Sequence, residues 1–364
     1  VVESHGNIEK PMYPRSALKP VQALVMRELG LDLTGEELVL SMASHLGTTA
    51  HIDVVDRILN SFQLTHSDLH CPRAFPGNPK ARAESNQMSR VAMNCSGKHA
   101  SFLATCRLNG WDLKTYLDPN HPLQQKMLAK TEELAGEKVA KVTIDGCGAP
   151  LFAISTLGLA KAISGFSRAG QDLIDAAKAH PWVIGDAGGA DSQFLEQGFM
   201  AKIGAEGVFV VSTDSHHAVA VKIADGNLRA APAVALELLR KHNLIAVDRN
   251  AAGGDGFGNV ARRDRAVELA GFTRLADDHE SLAIDLIGDR LSFLLQFEVA
   301  GFELSALASV IIADRPGAAA EDFARARGWS GVAAHTVLEM PSVFIGSRDG
   351  IVETMQMRRE RCGF

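Results

Sequence analysis

The segment Tyr13-Pro14-Arg15-Ser16-Ala17-Leu18-Lys19-Pro20 contains the most informative pair of side chains in this chain. Residues three apart on a helix are neighbours, so a helix that begins near Ser16 brings the Lys19 amine to the Ser16 hydroxyl. An unperturbed lysine has a pKa of about 10.4, and burial or a second cation must lower it by roughly 3 units before the amine serves as a base near neutral pH. The pair predicts a serine nucleophile with a lysine base, and the alternative is a solvated lysine on an ordinary first turn.

Composition indicates a globular protein that acts on a small molecule. The chain has 364 residues, 46% of them hydrophobic and 22% charged, with a formal net charge of -6 and a pI near 6.1. This charge offers no broad basic surface, so we expect neither nucleic acid nor an acidic membrane as a partner. No apolar run approaches the ~20 residues that cross a bilayer, and we expect a cytoplasmic protein.

Hydrophobic periodicity predicts helices packed around strands, which is an α/β architecture. Helices are expected over residues 16–29, 35–43, 51–61, 97–108, 122–134, 152–166 and 171–180, and strands over 139–144, 206–212 and 218–223. The Pro-, Gly- and Asn-rich residues 71–88 predict a long surface loop. The glycine-rich residues 251–259 contain a G-x-G-x-x-N pattern, but no clear strand precedes it, so we favour a linker over a nucleotide site.

A second cluster combines thiols with nitrogen donors. Asn94-Cys95-Ser96-Gly97-Lys98-His99 is followed, 52 residues after Cys95, by Cys147 in Asp145-Gly146-Cys147-Gly148. Thiolates and imidazole suit zinc, whereas a lysine coordinates a metal only after it loses its proton. The chain has five cysteines, too few for a secreted disulfide framework, so the alternative to ligands is buried apolar thiols.

Two further positions leave alternatives open. Ser44 and His45 lie side by side, which suggests a Ser-His pair, yet no acid stands where it would orient the histidine, and a helix cap by Ser44 or Thr49 is an equal alternative. Lys222 lies inside an apolar strand. It is either at a solvated sheet edge or buried, and a buried lysine has a lowered pKa that suits base catalysis.

In this order the motifs resemble the asparaginase II family of the Rhizobium etli type. Six of them match in register over residues 1 to about 245, namely Tyr13–Pro20, Ala-Ser-His-x-Gly from Ala43, Asn-Cys-Ser-Gly-Lys-His-Ala from Asn94, Asp-Gly-Cys-Gly-Ala-Pro from Asp145, Lys202–Gly207 and Val221–Asn227. The resemblance implies hydrolysis of the side-chain amide of L-asparagine to aspartate and ammonia. It also implies a fold similar to serine β-lactamases and glutaminases, and a homodimer.

The resemblance implies a role for each matching residue. Ser16 is similar to the family nucleophile and Lys19 to its base, while Ser44 and Lys222 match a second serine-lysine pair. The remaining matches are the zinc ligands Cys95, Lys98 and Cys147, and the pocket residues Arg15, His99 and Asp145. In the family the zinc ion assists substrate binding more than the chemical step. Two lysines placed close together would each lower the other's pKa, which supplies the shift that Lys19 needs.

The chain departs from the family pattern in three places. Thr48 stands where the family usually has a glutamate, and residues 186–192 lack the expected Gly-Arg-Phe-Asp character. Beyond about residue 250 the closing elements of the family are missing, so the sheet is expected to be incomplete at both ends. We expect a catalytic domain over residues 1–245, a glycine-rich linker over 246–282 and a helical tail over 283–364, which resembles a fragment of luciferase-like, flavin- or F420-dependent oxidoreductases.

Three other functions remain open at this point. The first is a glutaminase or a penicillin-recognising serine hydrolase on the same fold. The second is a non-catalytic protein that binds zinc or a small molecule. The third, an oxidoreductase, depends on the tail alone.

Overall fold

The computed structural model describes residues 1–245, 283–286, 291–299, 302–306, 309–312, 321 and 343–346. The chain divides into two compact units. The first comprises Val1–Ile223 with Asn227–Val260, and the second comprises Ala224–Gly226 with Ala261–Phe364. Within the described part of the chain, every helix is too short or too polar to span a bilayer.

Helices form most of the first unit. Those described are α1 (Lys19–Glu28), α2 (Gly35–Leu40), α3 (Thr49–Ser61), α4 (Pro79–Glu84), α5 (Ser96–Leu108), α6 (Pro122–Ala135), α7 (Thr156–Ala169), α8 (Gln171–Ala179), α9 (Ala190–Glu196) and α10 (Ala231–Lys241). Several begin with the expected signals. The Asn78 and Ser155 side chains accept hydrogen bonds from the first turns of α4 and α7, and Pro20 and Pro122 occupy first-turn positions that need no backbone N–H.

Two antiparallel sheets of three strands complete the first unit. The first is ordered β1-β3-β2, with β1 (Pro11–Met12), β2 (Lys141–Ile144) and β3 (Pro150–Ser155). The second is ordered β4-β5-β6, with β4 (Met200–Gly204), β5 (Val208–Ser212) and β6 (Ala218–Lys222). In the second sheet Lys202 lies opposite Val210 and Lys222 lies opposite Val208. Because alternate residues of a strand share a face, both lysines project from the same face of this sheet.

The segment before α1 lies against strand β4. Residues Arg15–Leu18 form a single 3-10 turn that leads directly into α1. A Cβ atom on Gly204 would stand 2.6 Å from the Pro14 carbonyl oxygen and 3.2 Å from the Ala17 Cβ. Only glycine allows β4 to approach the turn this closely, so the end of β4 sets the position of the serine-bearing turn.

The α+β fold class is confirmed, but several elements differ from the predicted ones, and the short helix α4 lies within the loop expected over residues 71–88. The helix expected over residues 152–166 begins only at Thr156, because Pro150–Ser155 is the fully buried strand β3. A short, uniformly apolar run has no periodicity that separates a buried strand from a helix. Strand β4 was not predicted, whereas the hairpin expected over 206–212 and 218–223 is present as β5 and β6.

The second unit contains strands where the tail was predicted to be helical. The described segments are β7 (Ala283–Leu286), β8 (Leu291–Val299) and β9 (Phe302–Ala306), which form an antiparallel sheet, and the parallel pair β10 (Ser309–Ile312) and β11 (Val343–Gly346). These segments are rich in aromatic and β-branched residues, which favour strands. The predicted linker over 246–282 and the glycine-rich stretch in it lie outside the described residues.

Replacing Gly204 with alanine tests the close approach of β4 to the turn. We expect Gly204→Ala to destabilise the protein by about 1–3 kcal/mol, because the added methyl group meets backbone and not a flexible side chain. Urea unfolding measures the change. The control is Gly189→Ala, where the nearest atom to an added Cβ is 3.2 Å away and we expect at most about 0.5 kcal/mol. Equal stability of the two variants would contradict the close approach.

Candidate active site

The Lys19 amine is buried at the start of α1. The side chain is only 1% exposed, and its Nζ donates to the Ala43 carbonyl oxygen and lies 3.0 Å from Ser44 Oγ. Burial lowers the pKa of Lys19 to about 8, with Lys98 and Lys202 acting in the same direction and Cys95 opposing them. A measurable fraction of this amine is therefore neutral near pH 7, as base catalysis requires.

The structure joins Lys19 to Ser44 and leaves the Ser16 hydroxyl uncommitted. Ser16 lies on the 3-10 turn, half-buried, and its hydroxyl makes no hydrogen bond within the described residues. The residue before it, Arg15, has a backbone φ of 51°, a left-handed conformation that is costly for any residue other than glycine. The turn thus leaves Ser16 partly exposed, three residues before a lysine that is already paired with a second serine.

Lys202 is one of two lysines whose charge lowers the pKa of Lys19. Lys202 is fully buried on β4, and its Nζ contacts Asp191 Oδ2 at 3.2 Å and the Ile203 carbonyl oxygen at 3.0 Å. Lys222 is half-buried at the end of β6 and donates to the carbonyl oxygens of Glu206 and Ile223, at 2.6 and 2.9 Å. The pairing of Lys222 with Ser44 therefore stays a prediction, because the hydroxyl of Ser44 contacts Lys19.

The predicted metal ligands lie together in the interior. Cys95, Lys98 and Cys147 are each at most 3% exposed, and Lys98 Nζ is 3.2 Å from Cys147 Sγ. The neighbouring Cys95 thiol, helped by Lys98, lowers the pKa of the Cys147 thiol to about 5, while Cys147 and burial raise the pKa of Cys95 to about 12. Burial disfavours the charge of Lys98, but Cys147, Cys95 and Asp145 outweigh burial and raise its pKa.

Arg15 and Asp145 form an ion pair at the mouth of this cluster. Arg15 Nε donates to Asp145 Oδ1 at 2.6 Å, and Arg15 Nη1 pairs with the carboxylate of Glu206. Burial opposes the charge of Asp145, yet Lys98 and Arg15 keep the pKa of this carboxyl below its usual value. Because Lys222 donates to the backbone of Glu206, it supports the residue that holds Arg15.

His99 is buried next to Lys98 and points one ring nitrogen at Tyr116. His99 Nδ1 is 2.7 Å from the Tyr116 hydroxyl, and burial lowers the pKa of His99 well below its ordinary value. The other nitrogen, Nε2, is buried and has no hydrogen-bond partner among the described residues. His99 therefore carries a polar atom that the protein itself leaves unsatisfied.

The Ser-His alternative at Ser44 and His45 finds no support. His45 is fully buried, its Nε2 lies 2.8 Å from Ser96 Oγ, and its Nδ1 accepts from the Gly47 backbone N–H. Both ring nitrogens are thus occupied away from Ser44. The helix cap at this point is Thr48, whose side chain accepts from the His51 N–H, and not Ser44 or Thr49. Thr48 therefore stands where a glutamate was expected and serves as the N-cap of α3.

Sequence reasoning missed three residues of this site. Lys202 was quoted in a motif without a role, Asp191 lies in the stretch judged to lack family character, and Tyr116 was not considered. For Lys202 a signal existed, because a lysine between apolar residues and directly before Ile203-Gly204 fits a buried strand as well as Lys222 does. Asp191 and Tyr116 become informative only through their contacts.

The profile of one family, L-asparaginase II, matches residues 1–268. The chain belongs to the L-asparaginase II family. No curated protein matches the chain. Membership of an L-asparaginase II family makes the first unit an amidohydrolase, and it supports amide hydrolysis of asparagine in general. Residues 283–364 lie beyond the matched range, so the luciferase-like resemblance of the tail stays a prediction.

Removing Asp191 tests the buried ion pair that holds Lys202. We expect Asp191→Ala to lower the free energy of unfolding by about 3–5 kcal/mol, because it leaves the ammonium of Lys202 buried and unpaired. The control is Lys138→Ala, which breaks an ion pair with Glu132 in which the lysine is 89% exposed, and here we expect at most about 1 kcal/mol. Urea unfolding of both variants measures the difference. A loss for Asp191→Ala no larger than the control would show that Lys202 is not held as a buried cation.

Proposed function

We propose that this chain hydrolyses the side-chain amide of L-asparagine to L-aspartate and ammonia, with Ser16 as the nucleophile. The observation that carries the proposal is the Lys19 amine, which is buried, 3.0 Å from a serine hydroxyl and has a pKa of about 8. An ordinary surface lysine has none of these properties. In a chain of the L-asparaginase II family, such an amine is the expected base of an acyl-transfer site.

Ser16 is a better nucleophile candidate than Ser44. The Ser44 hydroxyl is engaged by Lys19, and the Ser44 backbone N–H donates to the Ile184 carbonyl oxygen, so Ser44 is fixed within the protein. The Ser16 hydroxyl has no such engagement among the described residues and is partly exposed, so a substrate can reach it. The left-handed backbone at Arg15 is the kind of local strain that accompanies functional sites.

The proposed reaction has two stages. In the first, the Ser16 oxygen attacks the amide carbon while its proton passes to the neutral Lys19 amine, directly or through the Ser44 hydroxyl. Lys19 then gives that proton to the departing nitrogen, which leaves as ammonia. In the second, water attacks the resulting ester, again losing a proton to Lys19, and the proton returns to Ser16 as aspartate is released. The buried cations Lys98 and Lys202 disfavour a third positive charge at Lys19.

We assign the second lysine of the site to Lys202 instead of Lys222. Asp191 holds Lys202 in the interior, and the charge of Lys202 helps to lower the pKa of Lys19, a shift that the Ser16-Lys19 pair alone does not supply. The contacts of Lys222 support a different role, because its amine donates to the carbonyl oxygen of Glu206, and Glu206 binds Arg15. Arg15, with Asp145 and Glu206, offers both signs of charge, which suits the carboxylate and the ammonium of a free amino acid.

A zinc ion fits the donors of the cysteine cluster. Within the described residues no group of three or more His, Cys, Asp or Glu side chains is arranged to hold a metal, so the ligand set needs the Lys98 amine besides Cys95 and Cys147. The two thiols are buried, and the pKa of Cys147 is lowered so that this thiol is favoured as a thiolate, which is the donor chemistry that zinc prefers. When bound, zinc would supply a Lewis acid that binds an oxygen of the substrate.

The homodimer that the family resemblance implies also stays a proposal.

Ammonia release from L-asparagine tests the assignment of residues. We expect Ser16→Ala to lower kcat/KM by at least ~10³-fold, because it removes the nucleophile. We expect Lys202→Met to lower kcat/KM by at least ~10²-fold, because it removes the charge that lowers the pKa of the base. Lys222→Met is expected to cost far less than Lys202→Met, since Lys222 is half-buried and donates to the carbonyl oxygens of Glu206 and Ile223, whereas the charge of the fully buried Lys202 lowers the pKa of Lys19. The surface variant Lys138→Met serves as the control and should match the wild type.

The same assay separates the alternatives. Retention of most activity by Ser16→Ala would show that Ser16 is not the nucleophile. A larger loss for Lys222→Met than for Lys202→Met would favour Lys222 as the second lysine, as the family resemblance implies. Faster turnover of glutamine or of a chromogenic β-lactam than of asparagine would favour the glutaminase or penicillin-recognising alternative. No turnover of any of these compounds would favour the non-catalytic binding protein.

Elemental analysis of the purified chain tests the metal site. After incubation with zinc and dialysis we expect about one zinc ion per chain in the wild type, and a large loss in Cys95→Ser and in Cys147→Ser. The matched control is Cys106→Ser, which changes a buried cysteine of α5 outside the cluster and should keep its zinc. Wild-type protein without zinc, or an equal loss in the control, would remove the metal from the account.

A further inference from the structure

Tyr116 is a buried tyrosine whose hydroxyl joins two elements at the site. The side chain is fully buried, and its Oη accepts a hydrogen bond from the His70 backbone N–H at 2.9 Å. The same oxygen lies 2.7 Å from His99 Nδ1. The Tyr116 ring meets the His99 ring edge-on, with centroids 5.7 Å apart, so packing and hydrogen bonding hold the two rings together.

The direction of these hydrogen bonds fixes where the proton of His99 lies. A backbone N–H can only donate, so Tyr116 Oη is an acceptor toward His70 and its own hydrogen is free for another acceptor. Among the described residues the one remaining contact of this hydroxyl is His99 Nδ1. The hydroxyl therefore donates to Nδ1, and the neutral ring carries its single hydrogen on Nε2.

This arrangement leaves the Nε2–H of His99 as a buried donor without an acceptor. Within the described chain Nε2 has no hydrogen-bond partner, although the side chain is fully buried. An unsatisfied buried donor costs about 1–3 kcal/mol, so a folded protein that maintains one has a use for it. His99 directly follows Lys98 in α5, so this donor belongs to the same buried segment as the predicted metal ligand.

We infer that Tyr116 is a positioning residue, which holds His99 in the Nε2–H tautomer so that this N–H donates to an oxygen of the bound substrate. The inference rests on the proposed function for the identity of the substrate, but the tautomer does not depend on it. In the described contacts Tyr116 touches neither the serines nor the lysines. Its hydroxyl also holds the His70 backbone, and its effect on the substrate passes through His99. Substrate oxygens are acceptors, so the opposite tautomer, with a lone pair on Nε2, would repel them.

The tautomer is measured directly by NMR of the full chain labelled with ¹⁵N-histidine. We expect the His99 ring to show a protonated Nε2 and an unprotonated Nδ1 in the wild type, with the signal assigned by its loss in His99→Gln. In Tyr116→Phe we expect the Nδ1 and Nε2 signals to shift toward a mixture of tautomers. A wild-type His99 that is protonated on Nδ1 would overturn the inference, whether or not the chain hydrolyses asparagine.

Kinetics of the same variants test the consequence for the substrate. We expect Tyr116→Phe to raise KM for asparagine about 10-fold with a smaller change in kcat, since the donor contributes to binding. Added to His99→Gln, the same change should cost less than about 2-fold, because Tyr116 has nothing left to position. A full additional loss in the double variant would contradict action through His99.

A matched control separates positioning from stability. Thr105→Val also removes a fully buried hydroxyl, in this case from α5, where it donates only to the Ser101 carbonyl oxygen of the same helix. We expect this variant to lower the melting temperature while KM and the His99 signals stay as in the wild type. If Thr105→Val raised KM as much as Tyr116→Phe, the effect would be one of general destabilisation and the inference would fail.

Discussion

The burial of the Lys19 amine is the constraint on which the rest of the site depends. An ammonium group loses its hydration when it is buried, so the protein must either compensate the charge or release the proton. Here the compensation is partial, because among the described residues Nζ contacts a carbonyl oxygen and a hydroxyl but no carboxylate. The pKa falls to about 8, and the amine can exist in both protonation states at neutral pH.

Three buried lysines surround the proposed reaction, and their partners separate their roles. Lys98 lies against the thiolate-favouring Cys147, and Lys202 lies against the carboxylate of Asp191, so both have an anion nearby. Lys19 has neutral partners, Ala43 and Ser44, and feels the positive charge of the other two. Proton loss is therefore easier at Lys19 than at Lys98, and Lys19 stands within one helical turn of Ser16.

The sequence could predict the parts of this arrangement that depend on local signals. A helix near Ser16 and the hairpin of β5 and β6 follow from spacing and turn residues, whereas the association of Cys95 with Cys147 follows only from the family resemblance. The role of the strand lysines could not be predicted, because Lys202 and Lys222 lie on one sheet face and differ only in what covers them. Lys202 is covered through α9, which carries Asp191, whereas Lys222 lies at the end of β6. The helical prediction for the tail is wrong, because its β-branched and aromatic runs favour strands.

The most direct test of the central claim is the activity of Lys19→Arg compared with that of Lys19→Ala in the presence of small primary amines. Arginine keeps a positive charge and several donors but cannot lose its proton in a protein, so it can pair with Ser44 without serving as a base. The account predicts that Lys19→Arg is inactive and that methylamine or ethylamine restores part of the activity of Lys19→Ala. Activity of Lys19→Arg within about 10-fold of the wild type, which is only ~1.4 kcal/mol in transition-state free energy, would contradict it.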